Sequence, residues 1–543
     1  MESTTIPLVG SYNSRGVFVS SVSKDYRARG CIFTMAPDET QQTNAVYLNK
    51  RNGWSTASTP AAGSLCSAAI SSPSTLEIIA AFGDPNSTIY ANTTSVGTIS
   101  GRVEHITEVK FGTVTYWMMC VPQSPNAGWY LASDSYAQTA YVGDTHSNTT
   151  VDNIASTAGM YPGQAITGSG IPANTRIASI TSATAIVITA AATATAAGVA
   201  LTKTPVAKII DTDFPSAIRG AFVELDGRAY IMTFDRRIYG SESNDPTSWD
   251  AENYITCDKF SGFGIGCAKQ GDYIIGFCSS WFEGFYNAGS QTGSVLARRD
   301  DLTKEIGAAA NLGALIAQGQ NAVFFVSNTG LGTAVYKLEN LQPTKITGQY
   351  EENILNNAIP AHISAFYAYG GMCVHLDSAS GTDLMYIGAA NKWIEPVWTW
   401  RLIIFEGPEG SGGVFLYAAS PSDTGGRIFN MNNSIGQVWT DSGTAYTMTY
   451  QSDSKTINKG DPFIVKRTRL IADNESSGTT NLDMSSDDAT NFVDIGDFDM
   501  TSTQKEVWGG LYCESSVSFK LEHSANTAFR GQAIVVDWER ARV

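Results

Sequence analysis

Acidic side chains near the C-terminal end are the residues of this sequence whose type and spacing come closest to a chemical site. Six aspartates lie near one another there: Asp483, Asp487, Asp488, Asp494, Asp497 and Asp499. Carboxylate oxygens bind hard cations, but the Asp-Ile-Gly-Asp and Asp-Phe-Asp spacings lack the ligand ladder of a calcium loop. The stretch is therefore a cation site or a solvated acidic surface, and we interpret it as an acidic loop between two strands.

Histidine and glycine patterns predict no catalytic, metal or cofactor site. No two of the five histidines have ligand spacing: His105, His146, His362, His375 and His523. His375 lies in an apolar strand pattern, which is more typical of a core histidine than of a metal ligand. HExxH, GxSxG and phosphate-loop motifs do not occur, and Gly262–Gly266 lies between strands rather than before a helix. We expect no enzyme activity, no metal and no cofactor.

Short sequence patterns typical of β-strands recur along the middle of the chain. The strands that they predict are the elements that would position a functional site. Each repeat is a hairpin of two aromatic or β-branched strands, which we interpret as an inner strand followed by an outer one. The hairpins begin about 40 to 50 residues apart, the repeat length of a four-stranded propeller blade. Their starts are Gly227, Gly271, Asn321, Gly371 and Gly412, with two further hairpins upstream at Leu76 and Val114. We predict an all-β fold with a six- or seven-bladed β-propeller; the alternative is a set of unrelated β-meanders.

The domain organisation follows from two places where the regular spacing of the hairpins is interrupted or ends. The gap between the hairpins at Val114 and Gly227 is about twice the repeat, so a segment has been inserted there. The inserted residues are rich in Thr, Ala, Ser and Gly and nearly free of charge, which predicts a small β-sandwich. The strands nearest the C terminus alternate like half-exposed antiparallel strands. We therefore predict an N-terminal segment at 1–55 that packs with the C-terminal domain, a propeller at 56–139 and 203–440, an inserted domain at 140–202 and a C-terminal β-domain at 441–543. The strongest helical pattern, at 301–316, is interrupted by glycines.

Composition excludes several classes of protein. The chain has 543 residues, 35 Lys and Arg against 51 Asp and Glu, and a net charge of −16. A protein that reads duplex DNA needs a basic face to neutralise phosphates, which this acidity disfavours. No apolar run approaches a membrane span, and the first residues lack the basic and apolar regions of a secretory signal. The eight cysteines show no CxxC pair, so we expect buried free thiols and a reducing compartment.

Propellers often carry glycosidase sites, so carboxylates elsewhere in the chain are candidate catalytic residues, and three tryptophans are candidate interface residues. Ser485–Phe492 resembles the Asp-box turn of sialidases but lacks its Gly and Trp, which favours a solvated turn. Further carboxylates could face a propeller channel: Glu352, Glu395, Asp300 and Asp301. Three tryptophans are either interface anchors or buried blade residues, and we favour the second interpretation: Trp393, Trp398 and Trp400.

Three N-terminal stretches carry a resemblance to a known family. They are Ser11–Arg15, Lys24–Cys31 and Tyr47–Trp54. Together they resemble the opening of phage tail nozzle proteins, also called packaged-DNA stabilisation proteins of short-tailed phages. The insert, with its Gly-x-x-Ile-x-Gly-x-Gly-Ile-Pro pattern from Gly163 to Pro172, resembles a small β-domain that recurs in phage structural proteins.

The resemblance implies a structural virion protein of the phage tail, assembled in the host cytoplasm. It implies a ring of six copies that extends the portal-adaptor channel, retains packaged DNA and conducts it during ejection. Its partners would be further copies of itself, the portal adaptor protein, tail fibre or needle proteins, and double-stranded DNA that passes without sequence-specific binding. The acidic loop then becomes a candidate channel-facing element, because an electronegative lumen repels phosphate. The alternatives are a propeller-bearing receptor-binding or glycan-cleaving tail protein and a monomeric lectin-like propeller.

Overall fold

The computed structural model describes residues 1–541 except 9–10, 13–17, 20–26, 30, 38–43, 52, 73–74, 76, 123–126, 137, 291–292, 310–312, 314, 320, 330–331, 370, 379–381, 399, 409–413, 432–439, 442, 453 and 487–490. Seven strands come before the first blade in the sequence: β1 Glu2–Pro7, β2 Ser11–Tyr12, β3 Phe18–Val19, β4 Arg27–Arg29, β5 Cys31–Pro37, β6 Asn44–Lys50 and β7 Ser55–Ser58. Only β7 joins the propeller, whereas β1, β4, β5 and β6 join the sheets of the C-terminal domain. Both ends of the chain therefore build one unit.

The first two blades are antiparallel four-stranded sheets. Blade one contains β8 Cys66–Ser71, β9 Ile78–Phe82, β10 Ser87–Ala91 and β11 Thr94–Ile99. Blade two begins with β12 His105–Phe111, β13 Val114–Val121 and β14 Ala127–Ala132. Its fourth strand, β20, arrives only after five further strands: β15 Ala140–Thr145, β16 Thr150–Asp152, β17 Gln164–Gly168, β18 Ile177–Ser182 and β19 Ala185–Ile188, with β20 itself at Ala196–Lys208.

The inserted strands join blade two through one long strand. The first part of β20 pairs with β15 and β17, and its last residues pair with β14. The sheet curls until Ala165 and Arg176 form an isolated bridge. It encloses a core of its own: Tyr141, Val151, Ile154, Met160, Ile166, Ile177, Ile186, Ile188, Val199 and Leu201. The charge-poor segment thus buries its own apolar face while β20 ties it to the propeller.

Blades three to five follow without interruption. They contain β21 Ile218–Leu225, β22 Arg228–Thr233, β23 Arg237–Glu242 and β24 Asp245–Thr256; β25 Gly264–Gln270, β26 Tyr273–Cys278, β27 Phe282–Asn287 and β28 Leu296–Lys304; and β29 Ile316–Gln318, β30 Ala322–Thr329, β31 Gly332–Glu339 and β32 Gln342–Lys345. The described residues of the 301–316 pattern form no helix: residues 301–304 belong to β28, which pairs with β27, and Ile316 begins β29. The α-helix among the described residues is α1, Gln349–Asn357, which packs on β31.

Blades six and seven close the propeller. Blade six contains β33 His362–Ala368, β34 Gly371–Asp377, β35 Leu384–Ile387 and β36 Lys392–Ile394. Blade seven combines β37 Ile403–Pro408, β38 Val414–Ala419 and β39 Ile428–Asn430 with β7 from the N-terminal segment. The first strands of successive blades contact one another from β8 through β12, β21, β25, β29, β33 and β37 back to β8. The all-β propeller prediction is confirmed, and the ring has seven blades.

The recurring hairpins have a fixed place in the blade. The hairpins that begin near Gly227 and Gly271 are β22–β23 and β26–β27, the second and third strands of their sheets. The ring contacts are made by the strands before them, β21 and β25. The first strand of each of these hairpins is therefore the inner of the two, which agrees with the expectation from the sequence, and the innermost strand of the blade precedes it. Strands β22 and β26 are almost wholly buried between neighbouring blades, and this continuous burial made their apolar pattern the more conspicuous one.

The C-terminal domain consists of two facing sheets that share strands from both ends of the chain. Its strands are β40 Thr440–Asp441, β41 Thr444–Ala445, β42 Met448–Gln451, β43 Lys455–Thr456, β44 Phe463–Ala472, β45 Thr479–Ser485, β46 Val493–Asp499, β47 Lys505–Cys513, β48 Ser516–His523 and β49 Arg530–Arg540, with a short 3-10 turn at Asn458–Gly460. One sheet has the order β47-β44-β49-β6-β5 with β1 beside β49, and the other the order β4-β42-β48-β45-β46. Phe463, Val465, Met484, Phe519 and Trp538 are among the residues that fill the space between them.

Candidate assembly surface

The aspartates singled out in the sequence lie on a strand pair at one edge of the C-terminal domain. Asp483 is in β45, and Asp494, Asp497 and Asp499 are in β46, which ends its sheet. Asp487 and Asp488 lie outside the described residues. The antiparallel register places Asp483 opposite Asp494. The four described carboxylates are thus in strands rather than in a loop.

Hydrogen bonds hold several of these carboxylates. Asp483 is half-buried and accepts from Lys520 Nζ at 3.2 Å, and Asp494 accepts from Asn481 Nδ2 at 3.0 Å. The side chain and backbone of Thr501 donate to Asp499 and lower the pKa of that carboxyl. Within the described residues, no group of three or more His, Cys, Asp or Glu side chains is placed to hold a metal.

The exposed carboxylates of β46 form a strip that we name the acidic edge: Asp494, Asp497 and Asp499. Phe498 between two of them turns into the core, so the strand alternates between a buried and a charged side. A row of like charges along an edge strand repels phosphate and discourages pairing with a like-charged strand.

Beside the acidic edge, strand β47 presents aromatic side chains to solvent. Trp508 is 61% exposed and Tyr512 is 49% exposed, with Gly510 between them on the same face. Val507 and Cys513 alternate inward. In the described part of the chain, β47 ends its sheet and pairs with β44 alone. We name Trp508, Gly510 and Tyr512 the aromatic edge.

An ion-pair network orients Trp508. The guanidinium of Arg467 lies 4.9 Å from the Trp508 ring, and the indole Nε1 donates to Glu506 Oε1 at 3.1 Å. Arg467 also pairs with Glu506 at 3.3 Å and with Asp537 at 2.6 Å. The exposed ring is therefore held in one orientation before any partner arrives, which reduces the entropy lost on binding.

Asp537 anchors this network from beneath. Its side chain is buried and accepts from Ser3 Oγ at 2.5 Å and from Arg469 at 3.1 Å, in addition to Arg467. Burial by itself would raise the pKa of Asp537, but the hydrogen bonds from Ser3, Arg467 and Arg469 outweigh it and lower that pKa below its usual range. The carboxylate therefore stays ionised and keeps both arginines in place.

The other residues weighed in the sequence are dispersed. Glu352 pairs with Lys345 and Asp301 with Arg299, while Glu395 is buried at the boundary between the propeller and the C-terminal domain. The remaining carboxylate, Asp300, lies 3.5 Å from Lys259. The structure does not bring these carboxylates together as a pair.

The tryptophans and the strand histidine pack inside the molecule. Trp393 is buried, and Trp398 and Trp400 are half-buried against the core, which agrees with the blade-residue interpretation. His375 is buried with its ring 4.5 Å from that of Trp398, as expected of a core histidine. Sequence reasoning missed Trp508, although the alternation from Glu506 to Trp508 placed it on an outward face.

Comparisons with known proteins yield likenesses to solved structures. No protein-family model matches the sequence, and no curated protein matches it. Among solved structures, the chain is similar to one described as the crystal structure of BamB from Moraxella catarrhalis, with 9% identity and a TM-score of 0.34 over 73% of this chain and 92% of that one. A likeness this distant says nothing about what the chain does. No helix in the described ranges is long and apolar enough to cross a membrane.

Proposed function

We propose that this chain is a structural virion protein that forms the tail nozzle of a short-tailed phage. In this role a ring of six copies extends the portal-adaptor channel, retains packaged DNA and conducts it during ejection. The observation that carries the proposal is the aromatic edge, an exposed and pre-oriented Trp508 on a strand that ends its sheet.

The outward face of strand β47 is exposed and aromatic, whereas its free edge lies beside β46. The strand carries two consecutive glycines and two exposed aromatic residues, Trp508 and Tyr512. Exposed apolar surface of this kind marks interaction sites. Trp, Tyr and Arg dominate the energy of protein interfaces. A head-to-tail contact between identical chains, repeated around an axis, would cover this edge in a closed ring.

The charge of the chain supports a conduit for DNA. The net charge is −16, and the acidic edge adds exposed carboxylates beside the aromatic edge. A ring with such residues at its lumen repels phosphates, so duplex DNA passes without being held by its backbone. In the virion, the adaptor protein and the tail fibres or needle would bind at other surfaces of the ring.

Native mass spectrometry and electron microscopy of the purified chain test the proposal. We expect a particle with six times the 58.0 kDa chain mass and a central, electronegative channel. Trp508→Asp should abolish the ring, because it buries a charge in the contact. Tyr367→Asp, at another exposed aromatic in blade six, should leave it intact. A monomeric parent protein, or a lumen lined by Lys and Arg, would contradict the nozzle assignment; an intact Trp508→Asp ring would contradict the role of β47.

A further inference from the structure

A cavity of about 320 Å³ lies where the C-terminal domain meets the propeller. Three segments distant in sequence line it: the end of β4 with Arg29, the residues after β36 with Val397 and Trp398, and the approach to β42 with Tyr446, Thr447 and Thr449. The cavity is large enough for one or two amino-acid side chains and is at the small end of ligand pockets.

Hydrogen-bond donors dominate its polar lining. Arg29 lies with its Nε 3.0 Å from Glu395 Oε2, and the Arg29 side chain is 43% exposed. The indole N–H of Trp398 is buried and has no acceptor among the described residues. Glu395 also accepts from the Tyr350 hydroxyl at 2.6 Å, so the carboxylate nearest the cavity is already engaged. A buried donor without a partner is unfavourable, and an acceptor on a ligand would relieve this cost.

The wall beside Trp398 is held in an uncommon backbone conformation. Val397 has a φ of +51°, which is unfavourable for a β-branched residue. Arg51 maintains it by donating from Nη2 to the Val397 carbonyl at 2.8 Å and from Nε to the Pro396 carbonyl at 2.7 Å. The centre of the Tyr446 ring, which also lines the cavity, lies 3.8 Å from the same guanidinium. Backbone strain of this kind is retained where the surroundings impose it, and it often accompanies binding sites.

We infer that this cavity binds the carboxylate of an acidic peptide segment, an Asp or Glu side chain or a chain terminus of a partner protein. A carboxylate accepts two parallel N–H bonds from the fork of Arg29 and has lone pairs left for the Trp398 indole. The hydroxyls of Thr447 and Thr449 add short-range donors at the rim. The inference does not depend on the proposed ring, because every lining residue comes from one chain.

Fluorescence anisotropy with a labelled peptide tests the inference. The probe is a fluorescein-labelled Gly-Ser-Asp-Glu peptide with a free C terminus, titrated with the full chain. We expect saturable binding that weakens about tenfold in Arg29→Gln and in Trp398→Phe, since the first removes charge-assisted donors and the second removes the indole donor. Arg530→Gln, at a half-exposed arginine elsewhere in the same domain, should bind like the parent protein.

Two comparisons make the result decisive. A Gly-Ser-Asn-Gln peptide with an amidated C terminus should not bind, and circular dichroism should show both cavity variants folded at the temperature of the titration. Absence of binding by the parent protein, equal binding of the amidated peptide, or undiminished binding by Arg29→Gln would overturn the inference. Displacement of the labelled peptide by millimolar acetate would overturn the assignment to a peptide and identify a small free carboxylate instead.

Discussion

Arg51 and Asp441 form a buried, bidentate ion pair that joins the N-terminal segment to the start of the C-terminal domain. Arg51 Nη1 lies 2.7 Å from Asp441 Oδ1 and Nη2 lies 2.6 Å from Oδ2, with the two side chains 2% and 1% exposed. The Tyr446 hydroxyl donates to the Arg51 carbonyl, and Trp54, three residues along the chain, is fully buried. Arg51 also donates to the Pro396 carbonyl of the propeller side, so Arg51 and Trp54 lie at the joint between the two β units.

Removing one member of this pair should strongly destabilise the protein. In Asp441→Asn the Arg51 guanidinium stays buried without its counter-ion, and we expect a loss of about 3–5 kcal/mol in the free energy of unfolding. Urea unfolding followed by tryptophan fluorescence measures it. The matched control is Asp301→Asn, in the exposed pair with Arg299, which should barely move the midpoint. Equal midpoints for the two variants would show that the buried pair does not hold the joint.

A second prediction concerns the close passage of the chain at Gly53. A Cβ at this position would lie 2.1 Å from the Thr440 carbonyl oxygen, so Gly53→Ala forces the two backbones apart. We expect a loss on the order of 2 kcal/mol in unfolding free energy, measured by denaturant titration. Gly510→Ala is the control, because its nearest neighbour, the Val465 carbonyl oxygen, would be 3.9 Å away. A Gly53→Ala protein as stable as this control would rule out the tight crossing.

The buried His523 should make stability depend on pH. Burial, with Lys50 nearby, lowers the pKa of His523 to about 4, while the ring contacts Thr480 Oγ1 at 3.0 Å and Thr527 Oγ1 at 3.2 Å. In the unfolded chain His523 binds a proton near pH 6.5, whereas in the folded protein it stays neutral until about pH 4. The contribution of neutral, buried His523 to the free energy of unfolding is therefore complete above about pH 6.5 and is lost as the pH falls towards 4. This contribution is on the order of 1–3 kcal/mol.

Unfolding free energies between pH 4 and 7.5 test this dependence. His523→Gln should flatten the curve between pH 4 and 6.5 relative to the parent protein. His146→Gln, at a histidine half-exposed on the inserted domain, should keep the parent slope. Parallel curves for the parent protein and His523→Gln would contradict a neutral buried His523.

The cysteines should be unreactive in the folded protein. All eight are free and buried, which agrees with the expectation from the sequence. Burial raises the pKa of Cys66, Cys267, Cys373 and Cys513 to about 12, so hardly any thiolate exists at neutral pH. We expect no reaction with Ellman's reagent at pH 7.5 before unfolding and eight equivalents after it. Rapid labelling of even one thiol in the native protein would mean that a buried region opens readily.

Local pattern was sufficient to predict the blades, because the two-residue alternation of strands and the turn residues that end them are properties of short segments. The regular repeat and the compositional break at the insert made the propeller and its interruption recognisable in the same way. Strand β29 was not recognisable, since Ile316–Gln318 is only three residues long and is defined by its pairing with β30. The spacing of the four described aspartates was evident in the sequence, but the sequence did not predict that they lie on two paired strands.

The sequence by itself determined that this protein is an acidic, all-β chain of repeated blades with buried thiols. Only the tertiary structure decided that β7 completes blade seven beside β39, that Arg51 meets Asp441, and that Trp508 stands exposed on an edge. Each of these depends on which distant segments come together, and alternation along a strand specifies two faces without specifying what will cover them. The number of blades likewise became definite only when the first strands met in a closed ring.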